Sequence, residues 1–124
     1  MITQYFISIL VGACSLFGIT TSDIEQKMID YGMVSVVMLD PTIKVGLAYS
    51  TTNNFVKTDM YGDFDKAYLL PEIAEMVVKA QRILKKQYPN YSLLIIDAAR
   101  PMSVQQRMFK MVAGTPLNIY VVVP

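Results

Sequence analysis

The sequence predicts an α+β domain. Three observations carry that expectation. Amphipathic helical patterns occur at three places, each with its own start and stop signals. Short apolar runs bounded by turn residues lie between them, the length expected of strands. One of these runs, Leu93-Leu94-Ile95-Ile96, passes straight into Asp97-Ala98-Ala99-Arg100-Pro101. A continuous apolar run reads as a strand buried on both faces. Its charged end delivers an acid and a base to the rim of a core, where charges are paired or used.

The elements follow in order. Residues 1–22 carry no Asp, Glu, Lys or Arg, and every charged side chain lies from Asp23 onward. An apolar stretch near the N-terminus that is too short to span a bilayer reads as a signal segment. Val11-Gly12-Ala13 precedes the single cysteine, Cys14. Two readings stand: a lipobox whose Cys14 becomes a lipid anchor, or an ordinary signal cysteine removed on cleavage. Either way the expected location is exported, in the periplasm or anchored to the membrane as a lipoprotein. Residues 23–124 are then the mature part, without a cysteine pair.

Ser22 and Glu25 have the form of a capping box. Ile24, Met28 and Tyr31 make an apolar stripe, and Gly32 closes that helix. Residues 34–39 and 45–49 are strand candidates, the first ended by Asp40-Pro41. Residues 50–54 form a polar loop with Phe55 at its end, and Tyr61-Gly62-Asp63 reads as a turn. Residues 71–88 are the clearest helix, with Pro71 at its first position and a stripe of Ile73, Val77, Ala80 and Leu84. Ser103 and Gln106 propose a second capping box, followed by a Val104, Met108, Met111 stripe and Gly114. Residues 118–123 read as a last strand.

The composition bounds the chemistry. One domain fits in 124 residues, and a net charge of +1 gives no reason to propose nucleic acid as a partner. There is no histidine, so neither a Ser-His nor a Cys-His pair exists. With one cysteine and scattered carboxylates, no metal-ligand set is apparent in this chain. Two groups stand out, Asp97 and Arg100. On the residues alone, an ion pair that braces the turn accounts for them better than catalysis does.

A resemblance adds to this reading. Ala48-Tyr49-Ser50-Thr51-Thr52-Asn53-Asn54-Phe55 with downstream Tyr61, Tyr68-Leu69-Leu70-Pro71-Glu72-Ile73-Ala74 with Ala80-Gln81, Asp97-Ala98-Ala99-Arg100-Pro101 with Ser103-Val104-Gln105, and Asn118-Ile119-Tyr120-Val121 occur in that order. Together they resemble the N-terminal half of the bacterial D-alanyl-D-alanine dipeptidases, zinc peptidases that include the vancomycin-resistance dipeptidases. Family members often carry Gly where Lys57 stands and an aromatic where Ala99 stands. The family's later Ser-x-His-x-x-Gly-x-Ala-x-Asp and Glu-x-x-His motifs, which supply zinc ligands and the general base, are not in this chain.

The resemblance implies a mixed or antiparallel sheet flanked by helices, a hedgehog-like fold that is incomplete at its C-terminal end. It implies zinc as cofactor, with no metal ligand in this chain, and D-Ala-D-Ala as substrate in cell-wall metabolism. It assigns Arg100 to transition-state stabilisation, Asp97 to orienting Arg100, and Tyr49, Asn54 and Phe55 to the substrate pocket. The rival expectations are a non-catalytic module that binds peptidoglycan peptides, and a related D,D- or L,D-carboxypeptidase.

Overall fold

A computed structural model describes residues 23–124, so the expected signal segment, Cys14 and the expected cap at Ser22 lie outside the described residues. The chain is α+β. Helix α1 (Asp23–Asp30) is followed by β1 (Val34–Ser35), a short α2 (Val36–Leu39) and β2 (Lys44–Val45). After a 3₁₀ turn at Ala48–Ser50 come β3 (Tyr68–Leu69), α3 (Pro71–Gln87), β4 (Leu94–Ile95), α4 (Met102–Val112) and a second 3₁₀ turn at Pro116–Tyr120. The described strands form two small sheets. β1 pairs antiparallel with β3, and β2 pairs parallel with β4.

α1 ends as its sequence predicts. Gly32 takes φ 76°, its N–H bonds to Ile29 O at 2.8 Å, and Met33 N–H bonds to Met28 O at 3.0 Å. That is the paired-bond helix stop which favours glycine at the left-handed position. Met28 is buried, but Tyr31 stands in solvent; the second inward residue is Glu25.

Several expected elements are corrected. Residues 34–39 are not one strand: two residues pair with β3, and the chain then coils into α2. Only Val36 of that run is buried, while Val37, Met38 and Leu39 are exposed, so alternation has nothing to satisfy. Residues 45–49 leave the extended state at Ala48, because the 3₁₀ turn brings Tyr49 back over the core. β3 had no strand signal of its own; it exists because Ser35 and Tyr68 meet across the fold.

The run 93–96 is not buried on both faces. Leu93 and Ile95 pack on the core, while Leu94 and Ile96 are each 60% exposed. α3 begins at Pro71 as expected, but its inward stripe is Ala74, Val78 and Gln81, with Ile73 exposed. α4 starts one residue before the proposed box, capped at Pro101 without a side-chain hydrogen bond, and buries Val112 in place of Met111. Residues 118–123 form the end of a 3₁₀ turn and an irregular tail, not a strand.

The core lies where these pieces meet. Val36, Ile43, Phe64, Ala67, Ala74 and Met108 are almost wholly buried. Truncating such a side chain to alanine costs about 2–5 kcal/mol where it is a large aliphatic. Gln81 is also fully buried, and its amide is saturated: Nε2 donates to Thr42 Oγ1 and Ser92 Oγ, both at 2.9 Å, and Oε1 accepts from Leu93 N–H at 2.9 Å. It clamps α3 to the entry of β4, which fixes where the Asp97–Arg100 turn emerges.

Candidate functional site

The turn after β4 is pinned at both ends. The parallel ladder continues past β2 through Gly46 N–H to Ile95 O and Ala48 N–H to Ile96 O, both 2.9 Å. Ala99 N–H then reaches Tyr68 O at 3.1 Å, tying the turn to the other sheet. Pro101 begins α4, so the backbone around Arg100 is held from two sheets and a helix.

Arg100 is the hub. Its Nη2 donates to Asp97 Oδ2 at 2.8 Å and its Nη1 to Gln105 Oε1 at 2.9 Å. The guanidinium carbon sits 4.6 Å from the centroid of the Tyr49 ring, a cation–π contact. Tyr49 meets Phe55 and Tyr61 edge-on, each with centroids 6.3 Å apart. Phe55 in turn meets Tyr120 at 6.2 Å. The Arg100 side chain is 22% exposed and Asp97 is 43% exposed, so the pair lies at the rim and not inside the core.

The electrostatics follow from this enclosure. Burial works against the Arg100 charge, but the Tyr61 hydroxyl and the Asp97 carboxylate more than offset it, so its pKa is raised. Burial raises the pKa of the Tyr61 hydroxyl, with the Arg100 cation pulling the other way. The two groups are close enough to shift one another, yet Tyr61 Oη and Arg100 Nε are both buried without a hydrogen bond of acceptable geometry. Buried polar atoms without partners are uncommon in folded proteins and carry a free-energy cost.

The structure brings Asp97 and Tyr49 to Arg100 and places Phe55 one ring further out. Asn54 is near in sequence but occupied elsewhere. Its Nδ2 lies within hydrogen-bond distance of the Ala48, Thr51 and Thr58 carbonyls, and its Oδ1 accepts from Val56 N–H at 3.0 Å. It shapes the 51–58 loop that carries Phe55. In that loop Lys57 takes φ 54°, a left-handed conformation that suits glycine better than a residue with a Cβ.

Two participants, Tyr61 and Gln105, were not among the predicted site residues. The sequence held a faint signal for Gln105: it stands five residues after Arg100, across a helix-initiating proline, where one turn can fold it back.

A cleft of about 440 Å³ between α1 and the start of α4 is lined by Lys27, Met28, Tyr31, Met33, Arg100 and Met102, among others. Tyr49, Asn54 and Phe55 do not line it. A larger groove of about 770 Å³ along α2 and α3 touches none of the predicted site residues. No group of three or more Cys, Asp or Glu side chains that could hold a metal occurs among the described residues. Among them, no helix is long and apolar enough to cross a membrane.

No family model, curated protein or solved structure matches the chain. The arrangement can present one fixed cation beside aromatic rings at the end of a strand. It can polarise or stabilise an oxygen that carries negative charge. The described residues offer no general base in contact with that cation other than the Asp97 carboxylate that already accepts from it.

Proposed function

We propose that this chain supplies the substrate-facing wall of a zinc D-alanyl-D-alanine dipeptidase domain with a hedgehog-like fold. The observation that carries the reading is Arg100, held by Asp97 and Gln105 and stacked on Tyr49 at the end of the apolar run. A donor fixed in this way costs little reorganisation when charge develops on a carbonyl oxygen, and losing one such donor costs about 2.7–4 kcal/mol of transition-state stabilisation. Asp97 orients it through a charge-assisted bond. Tyr49 and Phe55 give an aromatic flank to the cation, outside the cleft that Arg100 lines, and Asn54 sets the loop that presents Phe55.

Two further points support the reading. The resembling motifs occur in order over residues 48–121. Lys57 occupies a backbone conformation that favours glycine, at the position where the resembled family often has glycine. The chain has no histidine and, among the described residues, no carboxylate cluster, so the residues present do not fit a zinc site. The reading carries an export signal in residues 1–22, with Cys14 as the lipid attachment point if the segment is a lipobox.

The test has two arms. Titration calorimetry on the 124-residue chain should detect D-Ala-D-Ala in preference to L-Ala-L-Ala, and Arg100→Ala should abolish that preference. The reading frame continued past Pro124 should encode a Ser-x-His motif, and its zinc-loaded product should hydrolyse D-Ala-D-Ala. Preferential binding with a stop codon after Pro124 shared by related strains would replace the enzyme with a peptidoglycan-peptide binding module. Faster hydrolysis of a pentapeptide than of the dipeptide would replace it with a carboxypeptidase. Indifference to both peptides, with no such motif downstream, would remove the reading.

A further inference from the structure

Gln105 stands between two partners of opposite polarity. Its Oε1 accepts from Arg100 Nη1 at 2.9 Å, and its Nε2 donates to Val122 O at 2.7 Å. A guanidinium only donates and a backbone carbonyl only accepts, so the amide has one workable orientation. Flipping it would set donor against donor and acceptor against acceptor. Glutamate at this position could hold Arg100 but could not donate to Val122. Methionine could do neither.

Val122 belongs to the segment that follows the last 3₁₀ turn. The preceding Val121 is buried in the core, and the Tyr120 ring meets Phe55 at 6.2 Å. Phe55 contacts Tyr49, and Tyr49 carries the Arg100 guanidinium. The contacts therefore close a ring: Arg100, Gln105, Val122, back along the chain to Tyr120, then Phe55, Tyr49 and Arg100 again. One route from segment to cation is polar and the other is aromatic. A side chain that served only to pack α4 would need neither bond.

We propose that Gln105 is a positioning residue that couples the placement of residues 120–122 to the orientation of the Arg100 guanidinium. For substrate binding, the proposal rests on the reading of Arg100 as the group that faces D-Ala-D-Ala. With the segment docked, Gln105 is held from Val122 and fixes the guanidinium on one side while Asp97 fixes it on another. With the segment displaced, Gln105 is free to turn and Arg100 keeps only Asp97 and the Tyr49 face. The segment thus acts on the guanidinium through Gln105.

The test is nitrogen-15 NMR of the arginine side chains in the full chain, with Arg100 assigned through Arg100→Lys. A guanidinium held at both Nη atoms shows separate Nη signals, and one free to rotate shows them merged. Wild type should show separate signals. Gln105→Met should merge them and weaken D-Ala-D-Ala binding about tenfold, the scale of a lost hydrogen bond to a charged group. Gln105→Glu should keep the signals separate while the backbone order of residues 121–123 falls, which distinguishes coupling from general loss of structure. Removing residues 122–124 should broaden the Arg100 signals. If Gln105→Met leaves them separate, or the truncation leaves them sharp, the positioning role is wrong. If the NMR outcomes hold and wild type ignores D-Ala-D-Ala, the coupling stands and the substrate reading falls.

Discussion

The two glutamines of the core side chains and the site, Gln81 and Gln105, do opposite things with the same functional group. Gln81 is fully buried, and each polar atom of its amide meets a framework partner from the 40–43 loop or the start of β4. Gln105 joins a half-exposed ion pair to a tail carbonyl, beside a cluster in which Tyr61 Oη and Arg100 Nε are left over. A saturated cluster holds the fold, because every buried polar atom repays its desolvation. The Arg100 cluster is not saturated in this way: the Tyr61 hydroxyl and the guanidinium lie close enough to shift one another without a well-aligned hydrogen bond. The backbone strain of the described residues lies on the same side: Lys57, the one described non-glycine residue with positive φ, belongs to the loop that carries Phe55. Strain of that kind gathers at functional positions more often than in framework.

The sharpest way to break this contrast is Gln81→Leu. It replaces a fully buried amide, leaves the part-buried Leu93 N–H without its acceptor and should cost about 2 kcal/mol in urea unfolding. A loss below about 0.5 kcal/mol would mean the clamp is dispensable and the two clusters are alike.

Arg100→Ala should behave in the other way. The pair it breaks is partly exposed, so unfolding should change by about 1 kcal/mol or less while D-Ala-D-Ala binding is lost. A large stability loss with binding intact would make the Arg100 cluster framework too.

The third comparison is with Glu25, which accepts from Lys66 Nζ at 2.6 Å and from Tyr68 Oη at 2.7 Å. The hydrogen bond from Lys66, then that from Tyr68, hold its pKa below the ordinary 4.5. A depressed folded pKa gives stability that is present above the unfolded pKa and lost as pH falls through the folded one. Stability should therefore decline as pH falls through the unfolded value near 4.5 and below it. Glu25→Gln should flatten that part of the curve, as read from melting temperature across pH. The same bond pushes Tyr68 up to about 12, after burial as the larger cause, so its hydroxyl stays a donor throughout this range.

The smallest effect is expected from Lys57→Gly. Relief of the left-handed backbone, offset by the extra freedom of glycine in the unfolded chain, should stabilise by about 0.5 kcal/mol. Destabilisation would place the Lys57 side chain, and not the loop backbone, in control of Phe55.

Much of the site was legible, and particular residues explain why. Asp97 and Arg100 three apart after an apolar run announce a pair at a strand end, and the pair forms. Tyr49 and Phe55 do gather beside it. Asn54 was legible as a loop residue next to Phe55, but its commitment to three carbonyls depends on how the loop closes. Tyr61 and Gln105 were quoted in the motifs yet carried no local mark of their role.

By itself the sequence determined the α+β class, the helices at Asp23–Asp30, Pro71–Gln87 and Met102–Val112 to within a residue or two, the Gly32 stop and the charged end of the apolar run. Those are local matters: backbone sterics, caps and short-range periodicity act within a few residues. Tertiary structure decided the rest. It turned residues 36–39 into a helical turn because only Val36 had a core to enter, and it chose Ala74, Val78 and Gln81 as the inner face of α3. It exposed Leu94 and Ile96, paired β1 with β3, and closed the ring from Arg100 through Gln105 to Val122. Each of these is a contact between distant segments. A buried polar side chain such as Gln81 is stable only when its partners arrive, and no reading of hydropathy along the chain contains their arrival.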